Sequence, residues 1–221
     1  MSPELTRLLV QATLDTLQMV AVAASLGTLV GLPLGVFLAT SGRGELLAAP
    51  WANRVLGLVV NATRSTPFII LVVAIIPFTR LIAGTSIGTS AATVPLTVAA
   101  IPFIARLVEG AVREVDGGLV EAARAFGASP LQIVLKVLIP EALPGIVLGL
   151  TLAVVSLIGF SAMVGAVGGG GLGDLGIRYG YQRFMPEMML AVVVVLIVLV
   201  QLVQTLGDRL ARLMNKRLRH G

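Results

Sequence analysis

The 221-residue chain is expected to be an all-α integral membrane protein with five spans, and three observations lead there. Hydrophobic residues make up 57% of it and charged residues only 12%, against roughly 25% charged in a soluble domain. The charges are gathered so that five long intervals hold none: 16–42, 65–79, 81–105, 142–173 and 188–207. Proline and glycine fall inside those intervals (Pro33, Pro67, Pro95, Pro102, Gly149, Gly159), as lipid-embedded helices allow when neighbouring helices re-satisfy the backbone.

A membrane-crossing helix needs about 20 mostly apolar residues. The first span is placed at 16–38; it is too long for the apolar core of a signal peptide and lacks a small-residue cleavage site behind it. The second, 55–78, requires Arg64 to snorkel toward an interface. The third, fourth and fifth are placed at 86–105, 143–165 and 188–207, so that 1–221 is one transmembrane domain. Five spans put the termini on opposite sides. One side holds Arg7, Arg80, Arg178 and Arg183; the other holds Arg43, Arg54, Arg106, Arg113, Arg124, Lys136, Arg209, Arg212, Lys216, Arg217 and Arg219. The excess of basic residues marks the cytoplasmic side, which then carries the 114–141 segment and the C-terminus, with the N-terminus outside. The net charge of +5 is spread along loop ends and the tail, as topology signals are, and does not form a patch for nucleic acid. Without cysteine there is no disulfide or thiol chemistry, and the single histidine, His220, is read as solvated tail.

The longest polar interruption, EAARAFGASPLQIVLKVLIPEALPG at 121–145, reads as two short helices beside the membrane. Gly118 precedes the first, Glu121 lies in an early turn where a carboxylate suits the helix dipole, and Ala122, Ala123 and Ala125 are strong helix formers. Gly127 can take the left-handed conformation that closes a helix. Ser129 and Pro130 then restart the chain as N-cap and first helical residue. The second helix, 131–139, is expected to stop at Pro140, with Pro144 opening the next span.

Glu121-Ala122-Ala123, then Gly127, then Val137-Leu138-Ile139-Pro140 at this spacing resembles the EAA loop of bacterial ABC-importer permeases. That family has Ile at 137 and Leu at 139, and both exchanges here are apolar. The resemblance implies that Glu121, Ala122, Ala123, Gly127 and Pro140 belong to a cytoplasmic coupling helix that enters a groove on an ATPase subunit. A wider resemblance, to the permease family of methionine ABC importers, is carried by RSTPFIIL at 64–71, IPFTR at 76–80, GTSIG at 84–88, VPLTV at 94–98, PFIAR at 102–106, SAM at 161–163 and the glycine run through Tyr179-Gly180-Tyr181. It implies a type I ABC-importer permease fold in a bacterial inner membrane, with a second copy of the chain as partner. It further implies two ATPase subunits that hold ATP and magnesium, and an external lipid-anchored binding protein delivering L- and D-methionine. This chain would carry no cofactor and no catalytic residue. It has no GxxxxGK[ST] motif, and Gly168, Gly170 and Gly173 satisfy GxGxxG only formally, because no βαβ unit surrounds them.

Two further stretches stand out. Arg64 and Pro67 are read either as an interfacial arginine and a helix break or as a clamp between helices at the cytoplasmic mouth, an Arg-x-x-Pro arrangement that amino-acid ABC permeases resemble. Ser161, Met163 and Gly165 precede the glycine run; small residues there allow close packing, and Met163 is a flexible candidate gate on the translocation path. The glycines themselves read as a flexible outer loop or as backbone able to approach a neighbour closely. An ion-coupled transporter would need ionisable groups deep in its spans, and an intramembrane hydrolase an acid–base or metal constellation; neither pattern is present. The cargo is less constrained: another amino acid, a dipeptide or a small osmolyte would suit a chain in which no acid pair and no deep arginine is evident.

Overall fold

Apolar runs free of charge become long helices in the computed structural model, which describes residues 3–214. The basic tail with Lys216, Arg217, Arg219 and His220, used above for topology, lies outside the described residues. Helix α1 (Pro3–Thr40) begins well before the expected span, because Glu4, Arg7 and a Gln11–Asp15 hydrogen bond of 3.0 Å extend it in polar form. At 1.5 Å per residue its 38 residues reach about 57 Å, so only part of it fits a hydrocarbon layer about 30 Å thick.

An unbroken second helix over 55–78 does not form. The chain makes α2 (Pro50–Ser65), α3 (Phe68–Ala74) and α4 (Ile76–Ala83), and α2 and α3 meet at 104°. Pro67 disfavours a helical conformation at the residue before it, and Thr66 is accordingly extended at φ −82°, ψ 124°. Among the described residues four helices are long and apolar enough to cross a membrane, and the bent α2–α3 pair makes a fifth if the two together form one span. Helix α5 (Thr89–Arg113) keeps Pro95 and Pro102 in its interior.

Three glycines spaced four apart on α1 fix the central packing. A methyl group at Gly27 would fall 2.6 Å from Ala100 Cβ, and one at Gly31 2.8 Å from the Ile101 carbonyl oxygen. Gly35 meets Ala105 and Val108 in the same way. Lipid tails are as apolar as leucine, so burial alone does not drive helices together in a bilayer; the close backbone approach that glycine permits supplies dispersion contact instead. This i, i+4 signal was present in the sequence but absent from the expectations above.

Beyond α5 come α6 (Gly117–Ala125) and α7 (Pro130–Ile133), which runs through a π turn at Val134–Leu138 into α8 (Ile139–Gly165). The expected stop at Pro140 is therefore wrong: Pro130–Gly165 is one continuous apolar run of 36 residues. Proline lacks the N–H that an α-helix would need. The wide turn absorbs this, with Ile139 N–H donating to the Val134 carbonyl five residues back. Helix α9 (Gly171–Leu175) and a second π turn (Gly176–Tyr181) lead to α10 (Pro186–Met214), which is packed mainly on α8 and presents most of its surface outward.

The glycine run is not a free loop. Gly168, Gly170 and Gly171 all have positive φ, Gly88 N–H donates to the Gly168 carbonyl at 2.9 Å, and Leu172 N–H donates to Thr16 Oγ1 at 2.9 Å. A side chain at Gly171 would collide with Thr16 and Met19, so glycine here permits close backbone approach to α1.

Candidate functional site: an exposed helix and a hollow at the helix break

Helix α6 is built from local signals and touches the core only through half-buried Val120 and Ala123. Asp116, not Gly118, caps it, its carboxylate accepting from Gly118 N–H at 2.6 Å. Gly127 closes it at φ +78°, with Gly127 N–H donating to the Arg124 carbonyl at 2.9 Å and Ala128 N–H to the Ala123 carbonyl at 3.1 Å. A capping box follows at once: Ser129 N–H donates to Gln132 Oε1 at 2.9 Å and Gln132 N–H to Ser129 Oγ at 3.4 Å. No residue of α6 is buried; Glu121 and Ala122 are exposed and Ala123 half-buried. Phe126, at its end, is 92% exposed. The sequence reading passed over this bare aromatic at the end of α6. Pro140 is not on this exposed element; it sits half-buried at the start of α8 and shapes the π turn.

Above α6, the end of α5 carries a network that sequence reasoning missed. Glu109 is 6% exposed and pairs with both Arg106 and Arg113, the latter at 2.9 Å. Arg106 also donates to the Gly57 carbonyl at 3.2 Å and to Asn61 Oδ1 at 2.9 Å, and so fastens α2 to α5. The signal was the i, i+3, i+7 spacing of Arg106, Glu109 and Arg113 around one helix face; it was read only as charge at a span end.

The tie between helices expected of Arg64 is thus made by Arg106. Arg64 itself makes no hydrogen bond or ion pair with any described residue. The bend at Pro67 turns it, with Pro67, toward a hollow of about 280 Å³ formed between α2, α3, α5 and α8. Phe68 and Phe160 stack across this hollow with ring centroids 4.5 Å apart and planes 14° apart. Their arrangement needs the break, because only after Pro67 does the chain double back onto α8.

The three candidate gate residues do not converge. Ser161 is buried, its hydroxyl donating to the Ile158 carbonyl at 2.7 Å. Gly165 packs directly on the backbone of Gly173 and Asp174. Met163 points the other way and is 49% exposed. Ser161 and Gly165 therefore set the packing of α8 on α9, and Met163 alone is free to meet another surface.

Residues 31–220 match the family of inner membrane components of binding-protein-dependent transport systems. The chain belongs to that family. Among its relatives in this transport family, a probable D-methionine transport system permease protein MetI of Vibrio cholerae is 56% identical over 95% of this chain and 93% of its own length. The D-methionine transport system permease protein MetI of Escherichia coli K12 is 52% identical over 75% of this chain and 76% of its own. The backbone also superimposes on a chain of the MetNI methionine ABC transporter in an inward facing conformation, with a TM-score of 0.95 at 50% identity, over 98% of this chain and all of that one. A chain of an amino acid ABC transporter with histidines shares the fold at a TM-score of 0.79 and 20% identity, over 94% of each. The fold is that of the type I ABC-importer permease.

Proposed function

We propose that the chain is the membrane-spanning permease subunit of an ATP-driven importer that moves methionine, L and D, inward by alternating access. The observation that carries this reading is the full-length likeness, at 50% identity, to a chain of a methionine ABC transporter. Two copies of the chain would enclose the path, each holding one ATPase subunit on α6, and an external binding lipoprotein would deliver the cargo. ATP and magnesium belong to the ATPases; the permease supplies geometry and no chemistry. The protein would lie in a bacterial inner membrane with its N-terminus outside and its C-terminus and α6 in the cytoplasm, as the basic residues favour.

Glu121, Ala122, Ala123 and Gly127 on and beside α6 are the proposed coupling surface, with Phe126 as its apolar anchor. Movement of α6 reaches the membrane through α7, the π turn and α8 as one continuous run, while Arg106 makes α2 follow α5. Met163, on the open face of α8, is the proposed gate, supported from behind by Ser161 and Gly165. Uptake into proteoliposomes containing this chain, its ATPase and its binding protein tests the reading. ATP-dependent entry of labelled L-methionine, displaced by D-methionine and by little else, is the expected result. ATP-driven entry displaced instead by another amino acid, a dipeptide or an osmolyte would keep the permease and discard methionine.

A further inference from the structure

The hollow at the α2–α3 break lies beside the middle of α5. It touches α5 at Ala99, Pro102 and Phe103, the eleventh, fourteenth and fifteenth of that helix's 25 residues. At 1.5 Å per residue this is about 15–21 Å from the Thr89 end of a helix about 37 Å long, close to its middle. Arg64 is exposed in the single subunit and opens onto this hollow about one turn beyond Asn61, which Arg106 holds. An arginine within a membrane-spanning bundle faces a protein interior or aqueous path rather than lipid, and normally has a partner. Arg64 has none among the described residues, whereas Arg106 and Arg113 are both paired.

We propose that this hollow is a transient seat for the cargo within the permease, taking a small α-amino acid with an uncharged, apolar side chain. The inference rests on the reading of the chain as an amino-acid importer. Arg64 would bind the carboxylate, by the charge-assisted and potentially bidentate bonds for which guanidinium is suited. Phe160, stacked on Phe68, and the ring of Pro102 offer an apolar wall to the side chain, and a thioether gains from contact with an aromatic ring. Thr63 and Thr66 donate their hydroxyl hydrogens to the Val59 and Ala62 carbonyls, at 3.0 and 3.2 Å, which leaves both oxygens able to accept from an ammonium. No acidic side chain lines the hollow, so a cationic side chain would find only the repulsion of Arg64. A volume of about 280 Å³, just under the range of roughly 300–1,000 Å³ common for ligand clefts, suits a single amino acid better than a dipeptide. A lipid phosphate would share the anionic chemistry, and suppression of the label by L-methionine tells the two sources apart.

The test uses the intact complex of this chain with its ATPase, in nanodiscs, and a methionine analogue that carries a diazirine in its side chain. Irradiation is expected to label peptides containing Thr63–Leu71 or Phe160, with labelling suppressed by L-methionine and not by methioninamide, which lacks the carboxylate. In Arg64→Gln the label at these peptides should fall about tenfold or more, as loss of a charge-assisted bond predicts, while Arg64→Lys keeps most of it. ATPase activity stimulated by the binding protein should survive in both variants, showing assembled complexes. Uptake by the wild-type complex separates the two ideas. ATP-driven methionine uptake with label elsewhere, or with label indifferent to Arg64→Gln, overturns the seat alone; no uptake of any amino acid by the assembled complex removes the importer reading and the seat with it.

Discussion

Glu109 accepts from Arg106 and Arg113 at the one place where α5 leaves the apolar part of the bundle, and its near-complete burial makes it the centre of that corner. A carboxylate between two guanidinium groups compensates both; without it, Arg106 would face the Gly57 carbonyl and Asn61 with its charge unmatched. Arg113 is largely exposed and keeps its hydration, so most of the loss falls on Arg106. Glu109→Gln is expected to destabilise the permease by about 1–3 kcal/mol, read as a lowered thermal midpoint of the detergent-solubilised complex. An unchanged midpoint would show that the network orders the corner without stabilising it. Arg64, less than one turn beyond Asn61 on α2 but unpaired among the described residues, is the opposite case: a cation whose neighbours leave it available.

At the scale of elements, α6 has both ends capped and rests on the core only through Val120 and Ala123, which would suit the proposed coupling helix, keeping its shape while its outer face stays open. Gly127 closes it with a φ of +78°, a conformation in which a side chain costs about 1–2 kcal/mol. In Gly127→Val the helix end should reorient or fray, and co-purification of the ATPase is expected to drop several-fold while the membrane helices remain folded by circular dichroism. Full retention of the ATPase would count against α6 as the coupling surface. The two long packing elements, α1 and α5, depend on the opposite device. Gly27, Gly31 and Gly35 remove side chains so that backbones can touch, a spacing that the sequence carries but that was not read from it.

For the whole molecule, the open faces matter as much as the core. Helix α10 is outward-facing over most of its length, and Met163 emerges from α8 on a face that one subunit does not close. Two copies are needed to form a path, since closed assemblies of like subunits generate one on their symmetry axis. Met163→Ala is expected to raise ATP-independent leak of methionine, or to lower the amount imported per ATP hydrolysed, in proteoliposomes. Leak and coupling equal to wild type would remove Met163 as the gate.

The sequence by itself determined the class of the fold and much of the coupling segment. Both rest on short-range physics: the length of a charge-free run is set by bilayer thickness, and a helix end by the residues within one turn of it. That is why Gly127, Ser129 and Pro130 could be placed before the structure was seen, whereas the Asp116 cap, lying before the matched pattern, and the exposed Phe126 were missed and the stop at Pro140 was wrong. The tertiary structure alone decided where the prolines would bend the chain and what the bends would bring together. Pro67 breaks its helix sharply while Pro95, Pro102 and Pro144 do not, and Pro140 is absorbed in a π turn. The same pyrrolidine ring has these different outcomes because neighbouring helices determine whether the freed carbonyls and the displaced chain find partners. The opening of Arg64 onto the hollow and the stacking of Phe68 on Phe160 follow from that choice, and no spacing in the chain encodes it.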